Sequence, residues 1–290
     1  MRMTHTVAIG ATEELSRRTR ILCSVLGVLV VVAAVPTFFV DGILNGTPVM
    51  NGSARGTALT MFALALPVLV VGLITSARGS VRGRAALIGA IAYLTYNAAL
   101  LVYATPFNEL FLAYVALHGL AFWSLVRALL DPLPAMVSDG RLPVRGIAGF
   151  ILTVVALNAI GWLGFVVPDL GQDPPGFLNG TGLTTNPIYA QDLAIWLPAL
   201  AIVAVLMWRQ RPAGIFLGGA GLVFWMIEAI GVATDQWLGH RAAPSSDVAT
   251  LGGAVLFVVL AAVTLVPLTL WLRAAPSGPA GASQARDLRP

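Results

Sequence analysis

Residues 89–105 read GAIAYLTYNAALLVYAT, and this stretch decides the fold. Together with the apolar residues before it, the stretch has the length of a bilayer-crossing helix, which needs about 20 mostly apolar residues. Tyr93 and Asn97 lie four residues apart within it and therefore share one face of a helix. Unpaired polar groups are costly in lipid. The pattern therefore predicts a transmembrane helix whose polar face turns towards neighbouring helices.

Apolar runs of similar length recur along the 290-residue chain. The eight predicted spans are 21–40, 59–77, 85–104, 108–129, 147–168, 191–208, 214–233 and 249–272. Only 10% of the residues are charged and the mean hydropathy is +0.86, whereas soluble domains carry about a quarter charged residues. The sequence therefore predicts an all-α integral membrane protein with eight transmembrane helices.

The arginines are distributed unevenly about these spans. All 17 basic residues are arginine, and only Arg55 and Arg241 fall on the side opposite the two termini. Because basic residues accumulate on the cytoplasmic side of membrane proteins, we predict a plasma-membrane location with both termini in the cytoplasm. This topology explains the basic pI, so we expect membrane lipids and no nucleic acid as partners. The oligomeric state stays open.

The chain divides simply along its length. Residues 1–20 are predicted to form a cytoplasmic segment, and residues 21–273 a single transmembrane domain. Residues 274–290 are small, polar and rich in proline, which predicts a disordered cytoplasmic tail.

An internal similarity predicts a duplication. Residues 218–234 read GGAGLVFWMIEAIGVAT and align without a gap with 89–105, placing Trp225 opposite Tyr96. Pro67 and Pro198 occupy corresponding places in the preceding spans and are expected to kink them.

The loops repeat as well, with ILNGT at 43–47 and FLNGT at 177–181. These similarities predict two parallel four-helix repeats, 21–130 and 146–273, related by an axis along the membrane normal. Chance similarity between apolar helices is the alternative.

Two local signals concern the ends of helices. Asn-Gly pairs at positions 45, 51 and 179 predict turns. Thr105 followed by Pro106 predicts a helix start, with a capping hydroxyl and a proline in the first turn.

Polar and aromatic residues inside the spans predict an outward-facing pocket between the two repeats. The expected lining residues are Tyr93, Tyr96, Asn97, Tyr114, His118, Asn158, Asp192, Trp196, Trp225 and Glu228. A carboxylate inside a span needs a partner, a proton or water. Glu228 is therefore a candidate proton carrier, and Glu228, His118 and Asp192 are the candidates for acid-base catalysis.

Each of these residues has another interpretation. Asn97 and Asn158 could join helices by hydrogen bonds, Asp192 could cap its span, and His118 could be a structural hydrogen-bonding partner. Tyrosines and tryptophans at the ends of spans are typical of the membrane interface.

Several kinds of chemistry lack their residues. The chain has no lysine for a Schiff base, and Cys23 is its single cysteine, so a disulfide within the chain is impossible. We expect no cofactor and no metal. Three functions stay open. They are binding or transport of a small or lipid-like molecule, a cofactor-free intramembrane enzyme acting on a hydrophobic substrate, and a structural or accessory membrane subunit.

Two longer stretches carry a family resemblance. YLTYNAALLVYATPFNELFLAYVALHGLAFWSLV (93–126) and GTGLTTNPIYAQDLAIWLPAL (180–200) resemble motifs of a widespread, functionally uncharacterised family of bacterial multi-pass membrane proteins with about eight helices. The resemblance places the following residues in the shared motifs: Tyr93, Tyr96, Asn108, Tyr114, Asn186, Pro187, Asp192 and Pro198. Glu109 stands where the family usually has proline. The resemblance implies a fold and no activity.

Overall fold

A computed structural model describes residues 15–137, 140 and 142–276. Within these residues the chain is helical and contains no strand. Eight of its helices are long and apolar enough to cross a membrane, which confirms the predicted class of fold. Most of the predicted N-terminal segment, and the predicted tail beyond Pro276, lie outside the described residues.

The α-helices are α1 (Arg17–Phe39), α2 (Pro48–Thr60), α3 (Leu66–Ala77), α4 (Val81–Tyr103), α5 (Phe111–Leu130), α6 (Val144–Val166), α7 (Pro187–Gln191), α8 (Leu197–Trp208), α9 (Pro212–Ala242) and α10 (Leu251–Ala274). A π-helical turn at Met61–Ala65 joins α2 to α3, and another at Asp192–Trp196 joins α7 to α8. Each of these pairs therefore forms one continuous span. Short 3-10 turns lie at Val167–Asp169 and Gly176–Leu178.

Helices α4 and α9 form the centre of the bundle. Helix α4 packs against α3, α5 and α9, and α9 packs against α2, α8 and α10. Helix α1 packs against α5 and α2, and α6 packs mainly on α8. We call the end with residues 78–80 and 209–211 the termini end, and the end with residues 104–110 and 167–186 the loop end. At the loop end, the Thr47 hydroxyl donates a hydrogen bond to the Gly180 carbonyl oxygen over 3.1 Å.

Glycines bring α2 and α9 into close contact at the loop end. A Cβ atom on Gly56 would lie 2.5 Å from Asp235 Cα, and one on Gly52 would collide with the Leu238 carbonyl oxygen. This contact explains why both helices are longer than the predicted spans 59–77 and 214–233. The predicted turn at position 51 is wrong, because Asn51 lies within α2.

The prolines of two spans follow the two π-helical turns. Pro67 and Pro198 each stand two residues after the last residue of a π turn. A proline ring clashes with the carbonyl four residues before it in an α-helix. Widening the preceding turn is a known response of a helix to such a conflict.

The predicted helix start at Thr105 is also wrong. Helix α5 begins at Phe111, and the Thr105 hydroxyl instead donates a hydrogen bond back to the Leu101 carbonyl oxygen of α4. The Asn108 side chain accepts a hydrogen bond from the Leu110 N–H over 2.9 Å. The hydroxyl therefore closes the preceding helix, and Asn108 shapes the turn into the next.

A buried ionic cluster joins three helices at the termini end. The carboxylate of Asp131, with 2% of its side chain exposed, lies 2.7 Å from the Arg127 guanidinium and 3.7 Å from that of Arg84. It also accepts hydrogen bonds from the Thr19 hydroxyl over 2.6 Å and the Ser16 N–H over 3.2 Å. We call these five residues the Asp131 cluster.

The Asp131 cluster predicts sensitivity to acid. Burial raises the pKa of the Asp131 carboxyl, but the hydrogen bonds from Thr19 and Ser16 and the charge of Arg127 outweigh burial, so the pKa lies below its ordinary value. A carboxyl group whose pKa is lower in the folded state than in the unfolded chain stabilises the folded state. The stabilisation is complete when the pH is above the ordinary pKa of about 3.9, and it is lost as the pH falls through the lowered pKa.

We therefore expect the melting temperature of the wild type to fall as the pH drops below about 4. The fall should be shallower in Asp131→Asn, because this variant has no carboxyl to protonate there. Thermal unfolding in detergent over a pH series measures both slopes. Asp41→Asn, which changes an exposed carboxylate, should keep the wild-type slope, and equal slopes in all three proteins would contradict the prediction.

Candidate functional site

A cavity of about 880 Å³ lies towards the loop end of the bundle. Its walls come from α2, α4 and α6 to α10, including the π turn before α8, and residues of the segment 176–186 contribute to its lining. Pockets that hold small organic molecules measure about 300–1,000 Å³. The cavity is therefore large enough to bind a ligand of that size.

Three carboxylates line the cavity inside the membrane-spanning helices. Asp192 accepts a hydrogen bond from the Trp162 indole N–H over 2.7 Å. Glu228 accepts one from the Asn97 side-chain amide over 2.7 Å. The Oδ1 atom of Asp235 is shielded from solvent and has no hydrogen-bond partner among the described residues. The donors to these carboxylates are neutral, so hydrogen bonding does not cancel their charge.

Local sequence explains how these carboxylates reach one cavity. Glu228 and Asp235 are seven residues apart in α9 and therefore lie on the same face, two turns apart. Asp192 begins the π turn before Pro198. The short helix ahead of it is capped by Asn186, whose side-chain oxygen accepts the Ile188 N–H over 2.9 Å. π turns within α-helices are frequent at functional sites.

Aromatic rings form two groups in the cavity wall. In the first group, Trp196 stacks on Phe224 with ring centroids 5.2 Å apart, and Tyr96 meets Trp196 edge-on at 5.7 Å. In the second, Trp162 stacks on Tyr189 with centroids 4.6 Å apart. Trp225 also lines the cavity, one helical turn from Glu228. The site therefore combines large aromatic surfaces with carboxylates.

The structure brings most of the predicted pocket residues to this cavity. Those in its lining are Tyr96, Asn97, Asn158, Asp192, Trp196, Trp225 and Glu228. They come from α4, α6, the π turn before α8, and α9. Whether they bind a ligand stays a prediction.

The structure does not bring Tyr93, Tyr114 or His118 into the lining. Tyr93 is fully buried and packs against Gly231 of α9. The Tyr114 hydroxyl pairs with the Thr37 hydroxyl of α1 over 2.7 Å, and His118 Nδ1 lies 3.2 Å from the Thr95 carbonyl oxygen. A single hydrogen-bonding partner on a neighbouring helix satisfies the polar atom that Tyr114 or His118 presents there. Neither side chain therefore needs to reach a cavity.

Several lining residues were not among the predicted set. Asp235 stands out, because the spacing of seven residues from Glu228 already placed it on the same helical face, while the predicted span ended before it. In the sequence, Trp162 shares its predicted span with Asn158, and Tyr189 resembles an interfacial aromatic. The contacts of Trp162 with Asp192 and with Tyr189 depend on the tertiary structure and could not be predicted from the sequence.

Comparisons with known proteins found no match for this chain. No model of a protein family matches the chain, no curated protein matches it, and no solved structure matches its fold. The function is therefore inferred from the residues of the site itself.

Proposed function

We propose that this chain is a plasma-membrane protein that binds or transports a small or lipid-like molecule, which occupies the cavity at its loop end. The cavity is the observation that carries the proposal. A space of about 880 Å³ with carboxylates and aromatic rings in its wall is costly to maintain inside a membrane protein, where packing between helices drives association. Binding of a ligand accounts for that cost.

The orientation of the cavity follows from the positive-inside rule. We propose that the termini end, with Arg78 after α3, Arg82 and Arg84 at the start of α4, and Arg209 and Arg211 before α9, faces the cytoplasm. The cavity then opens towards the outside.

We also propose that the two halves of the chain are parallel repeats. The shared π turns, each followed by Leu-Pro at Leu66-Pro67 and Leu197-Pro198, support this arrangement. The cavity draws residues from α2 and α4 in the first half and from α6 to α10 in the second. A site between repeats is typical of transporters built in this way.

The two other candidate functions have less support. The enzyme hypothesis pairs a carboxylate with His118 as base, but His118 contacts α4 and does not line the cavity. Asp192 and Glu228 would then have to act without it. The hypothesis of a structural subunit expects a fully packed interior, and the cavity weighs against it.

Native mass spectrometry of the protein, purified in mild detergent from its own membrane, tests the proposal. We expect an additional mass on the wild type whose occupancy falls about tenfold or more in Glu228→Gln, because a hydrogen bond to a charged group contributes about 1.5–3 kcal/mol. Glu109→Gln is the matched control, since Glu109 is exposed at the same end and lies outside the cavity lining. A wild type without any bound molecule, or one bound equally by both variants, would contradict the proposal.

A further inference from the structure

We infer that the ligand of this cavity is an organic cation with an apolar body, such as a hydrophobic amine or a quaternary ammonium or phosphonium ion. This inference rests on the proposed function, because it assigns a chemical class to the molecule that the cavity would bind. It is carried by the charge of the lining, by its aromatic faces and by the size of the space.

The charge of the lining favours a cation. Asp192, Glu228, Asp235 and Asp247 are in the lining, and among the described residues that form it there is no arginine, lysine or histidine. The two arginines at the loop end, Arg55 and Arg241, contact other residues. Arg55 pairs with Asp41 over 2.8 Å, and Arg241 lies over the Trp237 ring. An anion would meet several carboxylates and no compensating charge, at the low dielectric constant where such repulsion is strongest.

The carboxylates also have acceptor capacity that the protein leaves unused. Trp162 donates to Asp192 and Asn97 to Glu228, and the hydroxyls of Tyr96 and Ser53 lie beside Asp192 and Asp235, so all of the donors are neutral. Asp235 Oδ1 has no partner among the described residues although it is shielded from solvent. A buried acceptor without a donor is unfavourable. An ammonium N–H would donate to these oxygens in the bound state, and a quaternary cation close to them would offset negative charge without donating a hydrogen bond.

The aromatic rings complete the pattern. Tyr96, Trp196 and Phe224 form one aromatic group and Trp162 and Tyr189 the other. Ring faces attract cations, tryptophan most strongly, and cages of such rings are used to recognise quaternary ammonium groups. Rings beside carboxylates therefore suit a ligand that is both charged and apolar.

The space argues against an inorganic ion as the ligand. Among the described residues, no group of three or more histidine, cysteine, aspartate or glutamate side chains is placed to hold a metal ion. A cavity of about 880 Å³ would also leave a bare ion largely uncoordinated. An organic body in contact with the aromatic walls fills the space.

Two probes of the same shape and opposite charge test the inference. Tetraphenylphosphonium is a permanent cation, and tetraphenylborate is an anion of nearly the same size and surface. Titration of the purified protein, followed by quenching of the tryptophans in the cavity wall and by calorimetry, should show saturable binding of the cation and none of the anion. The smaller benzyltrimethylammonium should bind at the same site and compete with the phosphonium ion.

Variants place the binding in the cavity. Glu228→Gln and Asp235→Asn should each weaken binding of the cation about tenfold or more, since each replaces a carboxyl group that can pair with a bound cation by a neutral amide of the same shape. Glu109→Gln should bind as the wild type does. Thermal unfolding of each variant shows whether it is folded, and Asp192→Asn provides a third variant if one of the others is not.

The outcomes separate this inference from the proposed function. Binding of the anion as tightly as the cation, failure of both cations to bind, or cation binding that ignores every carboxylate variant would overturn the inference. If a neutral molecule is nevertheless lost from Glu228→Gln in native mass spectrometry, the binding function stands and the cation class is wrong. If no molecule is bound in either experiment, both proposals fail.

Discussion

Asp131→Ala is expected to destabilise the folded protein by about 3–5 kcal/mol, the usual cost of removing one partner from a buried ion pair. In the wild type the carboxylate of Asp131 lies against Arg84 and Arg127, and 5% of the Arg84 side chain is exposed. Without Asp131 the Arg84 guanidinium stays buried and, among the described residues, keeps only its 3.4 Å hydrogen bond to the Ala128 carbonyl oxygen. Ser16 and Thr19 lose their acceptor at the start of α1 as well.

Thermal unfolding in mild detergent, followed by circular dichroism, measures this loss. Asp41→Ala is the matched control, because Asp41 pairs with Arg55 at 2.8 Å but its side chain is 95% exposed. Exposed ion pairs contribute about 0–1 kcal/mol, so this variant should melt close to the wild type. Equal decreases in melting temperature for the two variants would show that burial does not determine how much the Asp131 cluster contributes to stability.

The Asp131 cluster also illustrates what a sequence conceals. Arg84 and Arg127 are visible as basic residues at predicted span ends, and the positive-inside rule accounts for them without any partner. Asp131 is the residue that pairs with both. Only packing of α1, α4 and α5 shows that these groups are buried together, because Thr19, Arg84 and Asp131 are far apart in the chain.

The spans themselves could be predicted because lipid imposes one dominant requirement. A helix that crosses the membrane must be apolar over about 20 residues, and this requirement is local in sequence. The ends of α2 and α9 could not be predicted in the same way. Residues 48–58 are rich in polar residues and glycine. They are nevertheless helical, and Gly56 packs closely against the Asp235 backbone of α9. Such a contact depends on a partner almost 180 residues away in the chain.

The candidate site was predictable for residues whose position along a helix implies a face. Glu228 and Trp225 lie on α9 and Asn97 lies on α4. These two helices are central, so their polar faces meet other helices. Tyr114 lies on α5, which packs against α1 and α4, so its inward face meets α1 and not the cavity. Periodicity gives the direction of a side chain relative to its own helix, and the neighbour in that direction is a property of the tertiary structure.

Gly219→Ala is the second substitution for which we expect a large effect, a loss of about 2–5 kcal/mol. A Cβ atom at this position would lie far inside the van der Waals contact distance of the Trp271 indole. Trp271 is fully buried and donates its indole N–H to the Ile215 carbonyl oxygen over 2.8 Å. The methyl group must therefore displace a large ring, and the displaced ring loses its hydrogen bond in the interior of the bundle.

Gly119→Ala is the control for the substitution itself. A Cβ atom on Gly119 of α5 meets nothing within 4 Å, and alanine favours a helix by about 0.8–1 kcal/mol over glycine. This variant should therefore melt at the wild-type temperature or slightly above it. Equal melting temperatures for Gly119→Ala and Gly219→Ala would contradict the prediction.

A double-mutant cycle separates the contact with Trp271 from a general intolerance of change in α9. Trp271→Phe removes the larger ring and its N–H, and should be destabilising on its own because it leaves a void and removes the hydrogen bond to the Ile215 carbonyl oxygen. In that background Gly219→Ala should cost clearly less than in the wild type, since the smaller ring leaves room for the methyl group. Coupling between neighbours in contact is about 0.5–3 kcal/mol. If the two losses simply add, Gly219 does not act through Trp271, and the close packing of α9 on α10 has a different origin.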